Sequence, residues 1–269
     1  MRVVIAQLFP ERLNLYGDAG NVQALVQRAA WRGADVEMRT VDNEVDASAL
    51  NDVDLIVAGG GPDSDQFAVA RVLDQIGDAL CDSIGRGASL LAVCGAFQNL
   101  GHFYETSGGD RLPGPGLLNV ETAAAAVGRR MVGGVVVRLD PDSPIAAIGR
   151  TSAASAGFAG QENTVVGFEN HAGRSRLGLG VRALGRVPLG HGNNGEDATE
   201  GLLAQPWDEG LLGLRVATYL HGPLLPANPH LADFLLSAAL ARHGVVELSA
   251  LDDRAEWATH AANARRWSD

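Results

Sequence analysis

Ser89-Leu90-Leu91-Ala92-Val93-Cys94-Gly95-Ala96-Phe97-Gln98 packs an apolar strand, a cysteine and the start of a helix into ten residues. This is the layout of a nucleophile elbow, in which a sharp strand-to-helix turn holds the reactive side chain out at a sheet's rim. The small neighbours Ala92, Gly95 and Ala96 leave room for the turn. Unpaired N–H groups and the positive dipole end of the new helix favour a thiolate at Cys94. The other cysteine, Cys81, falls in the middle of a helical pattern and reads as a small apolar residue.

Working outward toward the N-terminus, residues 2–9, 36–41 and 55–58 are short apolar runs with the character of buried strands. Between them, residues 20–32 place Val22, Leu25, Val26, Ala29 and Ala30 at helical spacing, and 65–86 do the same with Val69, Val72, Leu73, Ile76 and Leu80. Strand and helix alternate, which predicts an α/β fold with a mostly parallel sheet flanked by helices. Ligands of such sheets sit at the carboxyl ends of strands. Cys94 falls at one such end and Gly59-Gly60-Gly61 at another. The backbone N–H groups of Gly60 and Gly61, with that of Gly95, are candidates for an oxyanion hole. The glycines do not follow the G-x-G-x-x-G dinucleotide spacing.

Toward the C-terminus the pattern is richer in strands, at 132–139, 164–168 and 211–220, with a helix near 230–243. The Pro-, Ser-, Ala- and Gly-rich stretch 140–163 reads as a mobile loop, and the polar tail 251–269 as a peripheral, loosely docked helix. With no repeats and no linker-like stretch, residues 1–269 read as one domain.

The 21 basic residues are all arginine, so the chain has neither a Walker A lysine nor a Schiff-base lysine. A formal net charge of −11 argues against a nucleic-acid partner. Two cysteines make no disulfide framework, and no Cys/His zinc spacing occurs, so no metal is expected. No run reaches the ~18 apolar residues of a membrane helix, and the start reads as a strand rather than a signal peptide. These points predict a cytoplasmic protein that is not integral to a membrane.

A thiolate nucleophile needs a base. Of seven histidines, His221 ends an apolar strand in Tyr219-Leu220-His221-Gly222-Pro223, which puts it at the sheet rim. His171 and His191 lie in polar, Gly-rich surroundings and could line a pocket.

Together, Gly59-Gly60-Gly61, the stretch from Val93 through Gln98, and Tyr219-Leu220-His221-Gly222 resemble the class I (triad) glutamine amidotransferases of the cobyric-acid-synthase-like branch. Further pieces resemble the GatD-type amidotransferase subunits of lipid II isoglutaminyl synthases. They are Leu13-Asn14-Leu15-Tyr16-Gly17-Asp18, Gly167-Phe168-Glu169-Asn170-His171-Ala172-Gly173-Arg174, Gly192-Asn193-Asn194-Gly195-Glu196-Asp197, and His221 with Gly222-Pro223-Leu224-Leu225-Pro226.

The resemblance implies a flavodoxin-like architecture and hydrolysis of L-glutamine by Cys94 and His221. It implies substrate contacts by Gln98, Asn170, His171 and an arginine that falls on Arg130, with Arg129 as the adjacent alternative. It also implies a Mur-ligase-like partner (MurT type) that carries ATP and Mg and amidates lipid II, with no cofactor on this chain. Triad enzymes often place an acid two residues after the histidine. That position here is Pro223, so the third member is expected from the partner, with Glu169 and Glu196 as candidates within the chain. The competing readings are a cobyrinate-type amidotransferase, another cysteine hydrolase of this fold, and a non-catalytic interaction subunit.

Overall fold

The computed structural model describes residues 1–106, 108–125, 130–204 and 211–268. The elements are β1 (Arg2–Leu8), α1 (Ala19–Trp31), β2 (Asp35–Val41), β3 (Leu55–Ala58), α2 (Gln66–Gly85), β4 (Ser89–Val93), α3 (Gly95–Asn99), β5 (Phe103–Glu105), β6 (Arg111–Pro113) and β7 (Val120–Ala124). They continue with β8 (Met131–Arg138), α4 (Pro144–Ser155), β9 (Thr164–His171), β10 (Gly173–Leu177), β11 (Gly185–Leu189), β12 (Thr199–Glu200), β13 (Leu202–Ala204), β14 (Arg215–Thr218), α5 (Pro229–Ala241) and α6 (Arg254–Ser268).

The central sheet runs β13-β14-β4-β3-β1-β2. Every pairing in it is parallel except β13 with β14. All residues of β3 and β4 are buried, because a parallel sheet is covered on both faces and its strands need apolar side chains at every position. Two four-stranded sheets, β10-β7-β5-β6 and β12-β11-β8-β9, make up the strand-rich part. The predicted strand 211–220 is shorter in the structure. Gly213 turns at φ +71°, and the strand proper is Arg215–Thr218.

Two expectations are corrected. Residues 140–163 are not a loop: Pro144–Ser155 is a helix that buries Ile145, Ala146, Gly149 and Ala153. Proline is favoured at the first helical position, where its missing N–H costs nothing. The small residues allow close packing, since a Cβ on Gly149 would lie 2.6 Å from that of His230 on α5. Nor is the tail loosely docked. Trp257 of α6 is fully buried, stacks on His230 with ring centroids 5.0 Å apart, and donates its indole N–H to Ser152 Oγ of α4 at 2.9 Å. Arg28 of α1 grips Asp233 on α5 through Nε and Nη2, both at 2.8 Å, and reaches Asp253 at the head of α6 at 2.7 Å.

Candidate active site

Four adjacent strands, β14, β4, β3 and β1, end at one rim and deliver four groups there. Cys94 follows β4, Gly60 follows β3, His221 lies just beyond β14, and Asp18 lies beyond β1 on the approach to α1. Cys94 is held at φ +50°, ψ −101°, a conformation that side-chain-bearing residues avoid and that is characteristic of strained functional turns. It is buried, as is His221.

Asp18 and His221, 203 residues apart in sequence, meet in the fold, with both carboxylate oxygens 3.1 Å from His221 Nδ1. A carboxylate only accepts, so Nδ1 carries the proton and Nε2 is the basic atom. Nε2 has no hydrogen-bond partner. It lies across Gly60 from the cysteine: a Cβ added at Gly60 would sit 3.2 Å from Nε2, 3.1 Å from Cys94 Cβ and 2.5 Å from His221 Cε1. Only glycine lets the two side chains approach over this loop. Burial alone would lower the His221 pKa; the charge of Cys94 and the hydrogen bond to Asp18 outweigh it and push the value up to about 10.

Within this chain the carboxylate that meets His221 is therefore that of Asp18, and neither of the two candidate glutamates takes that place. Glu169 is fully buried and bonds His191, while Glu196 is exposed and paired with Arg176 at 2.7 Å. Asp18 also accepts the Gly60 N–H at 2.7 Å, which removes that donor from the expected oxyanion hole. Among the described residues the N–H groups of Gly61 and Gly95 make no hydrogen bond. They lie close together, a Cβ on Gly95 falling 3.2 Å from Gly61 N. Two backbone donors beside a nucleophile are what an oxyanion requires.

The expected substrate contacts divide. Arg130 donates from Nε to Asn170 Oδ1 at 2.7 Å and from Nη2 to the Asn170 carbonyl at 2.9 Å. Asn170 Nδ2 donates to the Tyr16 hydroxyl at 2.5 Å, and the Tyr16 ring meets His221 edge-on at 5.0 Å. Arg130 is thus tied to the catalytic end of the site through Asn170. Arg129 lies outside the described residues.

Gln98 and His171 are corrected, because both are buried and engaged internally. Gln98 Oε1 accepts from Gln66 at 2.9 Å and Nε2 donates to the Tyr219 hydroxyl at 3.3 Å. His171 donates Nδ1–H to the Gly173 carbonyl at 2.9 Å and stacks on Tyr219 at 3.5 Å. Behind them Glu200, fully buried, accepts from Thr218 Oγ1 at 2.6 Å and from Tyr219 N at 2.8 Å, which fixes the strand end that carries His221. Its burial pushes the carboxyl pKa up to about 7.

Beyond Arg130 opens a cleft of about 580 Å³ lined by Arg130, Arg174, His191, Asn194 and Glu196, among others. That size suits a small molecule. No group of acidic, Cys and His side chains among the described residues could hold a metal ion, and no described helix is long and apolar enough to cross a membrane.

Residues 4–229 match the model of the CobB/CobQ-like glutamine amidotransferase domain. The chain is 35% identical over 255 residues to the GatD subunit of lipid II isoglutaminyl synthase (glutamine-hydrolyzing) of Staphylococcus aureus (strain N315), covering 94% of this chain and 91% of that one. It is 31% identical to the subunit of the same name from Streptococcus pneumoniae (strain ATCC BAA-255 / R6), covering 88% and 80%. A solved structure described as a glutamine amidotransferase shares the fold, with a TM-score of 0.55 at 18% identity over 90% of this chain and all of that one. The chain belongs to the CobB/CobQ-like glutamine amidotransferase family and is a glutamine-hydrolysing enzyme.

Proposed function

We propose that this chain is the glutaminase subunit of a two-chain amidotransferase that makes D-isoglutamine on lipid II. The observation that carries the chemistry is the convergence of Cys94, His221 and Asp18 at one sheet rim, beside the two unengaged N–H groups of Gly61 and Gly95. Cys94 gives its proton to His221 Nε2, and the thiolate attacks the carboxamide carbon of glutamine. The oxyanion forms against Gly61 and Gly95. His221 returns the proton to the departing nitrogen, ammonia leaves, and a thioester remains. Water, deprotonated by His221, attacks the thioester; glutamate departs and the thiol is restored. Asp18 holds the tautomer and stabilises the imidazolium at each stage.

The acceptor half of the reading is supported by what the two curated relatives are called. Ammonia would pass to a Mur-ligase-like synthetase subunit (MurT type). Using ATP and Mg²⁺, that subunit would amidate the D-glutamate α-carboxyl of lipid II. This chain carries no lysine for a phosphate loop, which suits ATP chemistry on another polypeptide. The compartment that fits an ATP-driven partner is the cytoplasm.

The test measures ammonia from purified chain and glutamine, then amidated lipid II after adding the synthetase and ATP. Cys94→Ser should abolish both, while Cys81→Ser keeps both. Burial, and then the nearby Asp78 and Asp82, raise the Cys81 pKa, so that thiol is a poor nucleophile. Ammonia release that survives Cys94→Ser overturns the mechanism. Hydrolysis without lipid II amidation overturns the acceptor.

A further inference from the structure

His221 is held by its backbone, by Nδ1 and across its ring, and the mechanism above uses only Nδ1. The backbone exchanges both hydrogen bonds with Phe168 on β9, at 2.7 and 3.1 Å. Nδ1 meets Asp18. The ring packs edge-to-face against Tyr16, with centroids 5.0 Å apart and planes inclined at 68°.

Asp18 by itself aims the imidazole loosely. Its two oxygens both stand at 3.1 Å, so the Nδ1 proton is shared between them, beyond the ~2.7–2.9 Å of a directed bond to a charged acceptor. A long, shared bond lets the ring turn about it. A second ring set against the imidazole at a steep angle is a favourable aromatic contact and blocks that turn.

Tyr16 is itself tightly placed. It lies two residues before Asp18, in a segment bonded to the glycine loop by Leu15 N–H, which donates to the Gly60 carbonyl at 2.8 Å. Its ring meets Phe168 edge-on, with centroids 5.8 Å apart, and its hydroxyl accepts from Asn170 Nδ2 at 2.5 Å. Strand β9, which holds the His221 backbone, therefore also holds Tyr16. The tyrosine sits at φ +61°, in the left-handed region that bulky side chains avoid. Such a conformation persists only where the surroundings impose it. The residue is 42% exposed and His221 only 1%, so Tyr16 covers the imidazole on the side of their contact.

We propose that Tyr16 is a positioning residue for glutamine hydrolysis, its ring aiming His221 at Cys94 and keeping water from the base. This rests on the triad reading above. The cover has a titration signature. Burial pulls the His221 pKa down, and the charge of Cys94 and the Asp18 carboxylate outweigh it. Water admitted by loss of the ring weakens those charge interactions, and the value returns toward 6.5.

The experiment measures kcat, the pH profile of kcat/KM for L-glutamine, and a melting curve, in the full chain and in Tyr16→Gly and Tyr16→Phe. Glycine is at ease at φ +61°, so a residue kept only for its backbone would be replaced without loss of rate. Tyr16→Gly should instead lower kcat by roughly 10²-fold, the scale of a misplaced catalytic group, with melting near wild type. The alkaline limb of the profile, where the imidazolium loses its proton, should move down by roughly one pH unit. Tyr16→Phe keeps the ring and gives up the Asn170 bond. It should lose no more than roughly tenfold, the scale of one neutral hydrogen bond, and keep the alkaline limb. Tyr16→Asn, whose side chain also tolerates the left-handed region, serves if the glycine variant folds poorly. Wild-type kcat in Tyr16→Gly, or equal losses in the glycine and phenylalanine variants with an unmoved limb, overturn the role of Tyr16. Hydrolysis that survives Cys94→Ser overturns the triad reading instead, and the role of Tyr16 with it.

Discussion

Asp18 shows most sharply how a residue can have no legible role in the sequence and be decisive in the fold. Its carboxylate touches both His221 Nδ1 and Gly60 N, so one side chain orients the base and sets the glycine loop. Asp18→Asn should lower kcat for glutamine hydrolysis by about 10³- to 10⁴-fold, the scale seen when a triad acid is replaced by its amide. A melting curve close to wild type would show that the loss is chemical; a fall of less than tenfold would return the acid to a partner. Arg130→Ala should raise KM for glutamine by about tenfold or more, because it removes a bidentate-capable cation that also holds Asn170 against Tyr16. Steady-state kinetics that match wild type would make Arg130 a surface charge. Cys94 and His221 were legible because each stands at the end of an apolar strand beside glycine, a local pattern. Asp18 ends the Leu13–Asp18 stretch that carries part of the resemblance, but its role was not legible, because its partner is 203 residues away. The engagement of Gln98 by Gln66 and Tyr219 was hidden for the same reason.

Among the elements, α4 and α6 were the ones misread, and for different causes. The α4 helix is built from Ala, Gly and Ser, so its buried and exposed faces differ little in polarity and the helical period is faint. Its identity comes from packing, where Gly149 lets α4 approach His230 closely. The α6 helix is polar overall and is anchored by few residues, chiefly Trp257, His260 and Ala261. His260 donates Nδ1–H to the Ala227 carbonyl at 2.9 Å, close to the turn that follows His221. Trp257→Ala should cost about 3–5 kcal/mol, because it removes a fully buried ring and its bond to Ser152. Chemical denaturation measures this directly, and a cost below 1 kcal/mol would mean that α6 is peripheral after all. The parallel strands and their helices were readable throughout, since burial on both faces leaves continuous apolar runs.

For the whole molecule, the buried histidines set how stability follows pH. Burial, and for His230 also the neighbouring His260 charge, lowers the two pKa values to about 3 and about 4, against 6.5 for a free histidine. The unfolded chain therefore takes up protons that the folded chain refuses, and stability should fall as pH drops below 6.5 toward about 4. The upper-limit slope is about 1.4 kcal/mol per pH unit for each histidine. His221 and Glu200 have the opposite sign. The His221 pKa, raised to about 10, contributes stability that is full below 6.5 and is lost as pH climbs toward 10. The Glu200 pKa, raised to about 7, contributes stability that is full below 4.5 and is lost as pH climbs toward 7, which offsets part of the gain from the two histidines. Denaturant midpoints at pH 5.0 and 7.0 test the acid limb, and equal midpoints would contradict it. The order of the central sheet carries one more consequence. Strand β14, which leads to the catalytic base, is inserted beside β4 although nine strands, β5 to β13, lie between them in chain order. A ribosome-bound chain that has emerged only through β13 therefore displays Cys94 without His221. Glutamine hydrolysis cannot begin on a polypeptide that stops short of His221, and the thiol acquires its base only after β14 has been made.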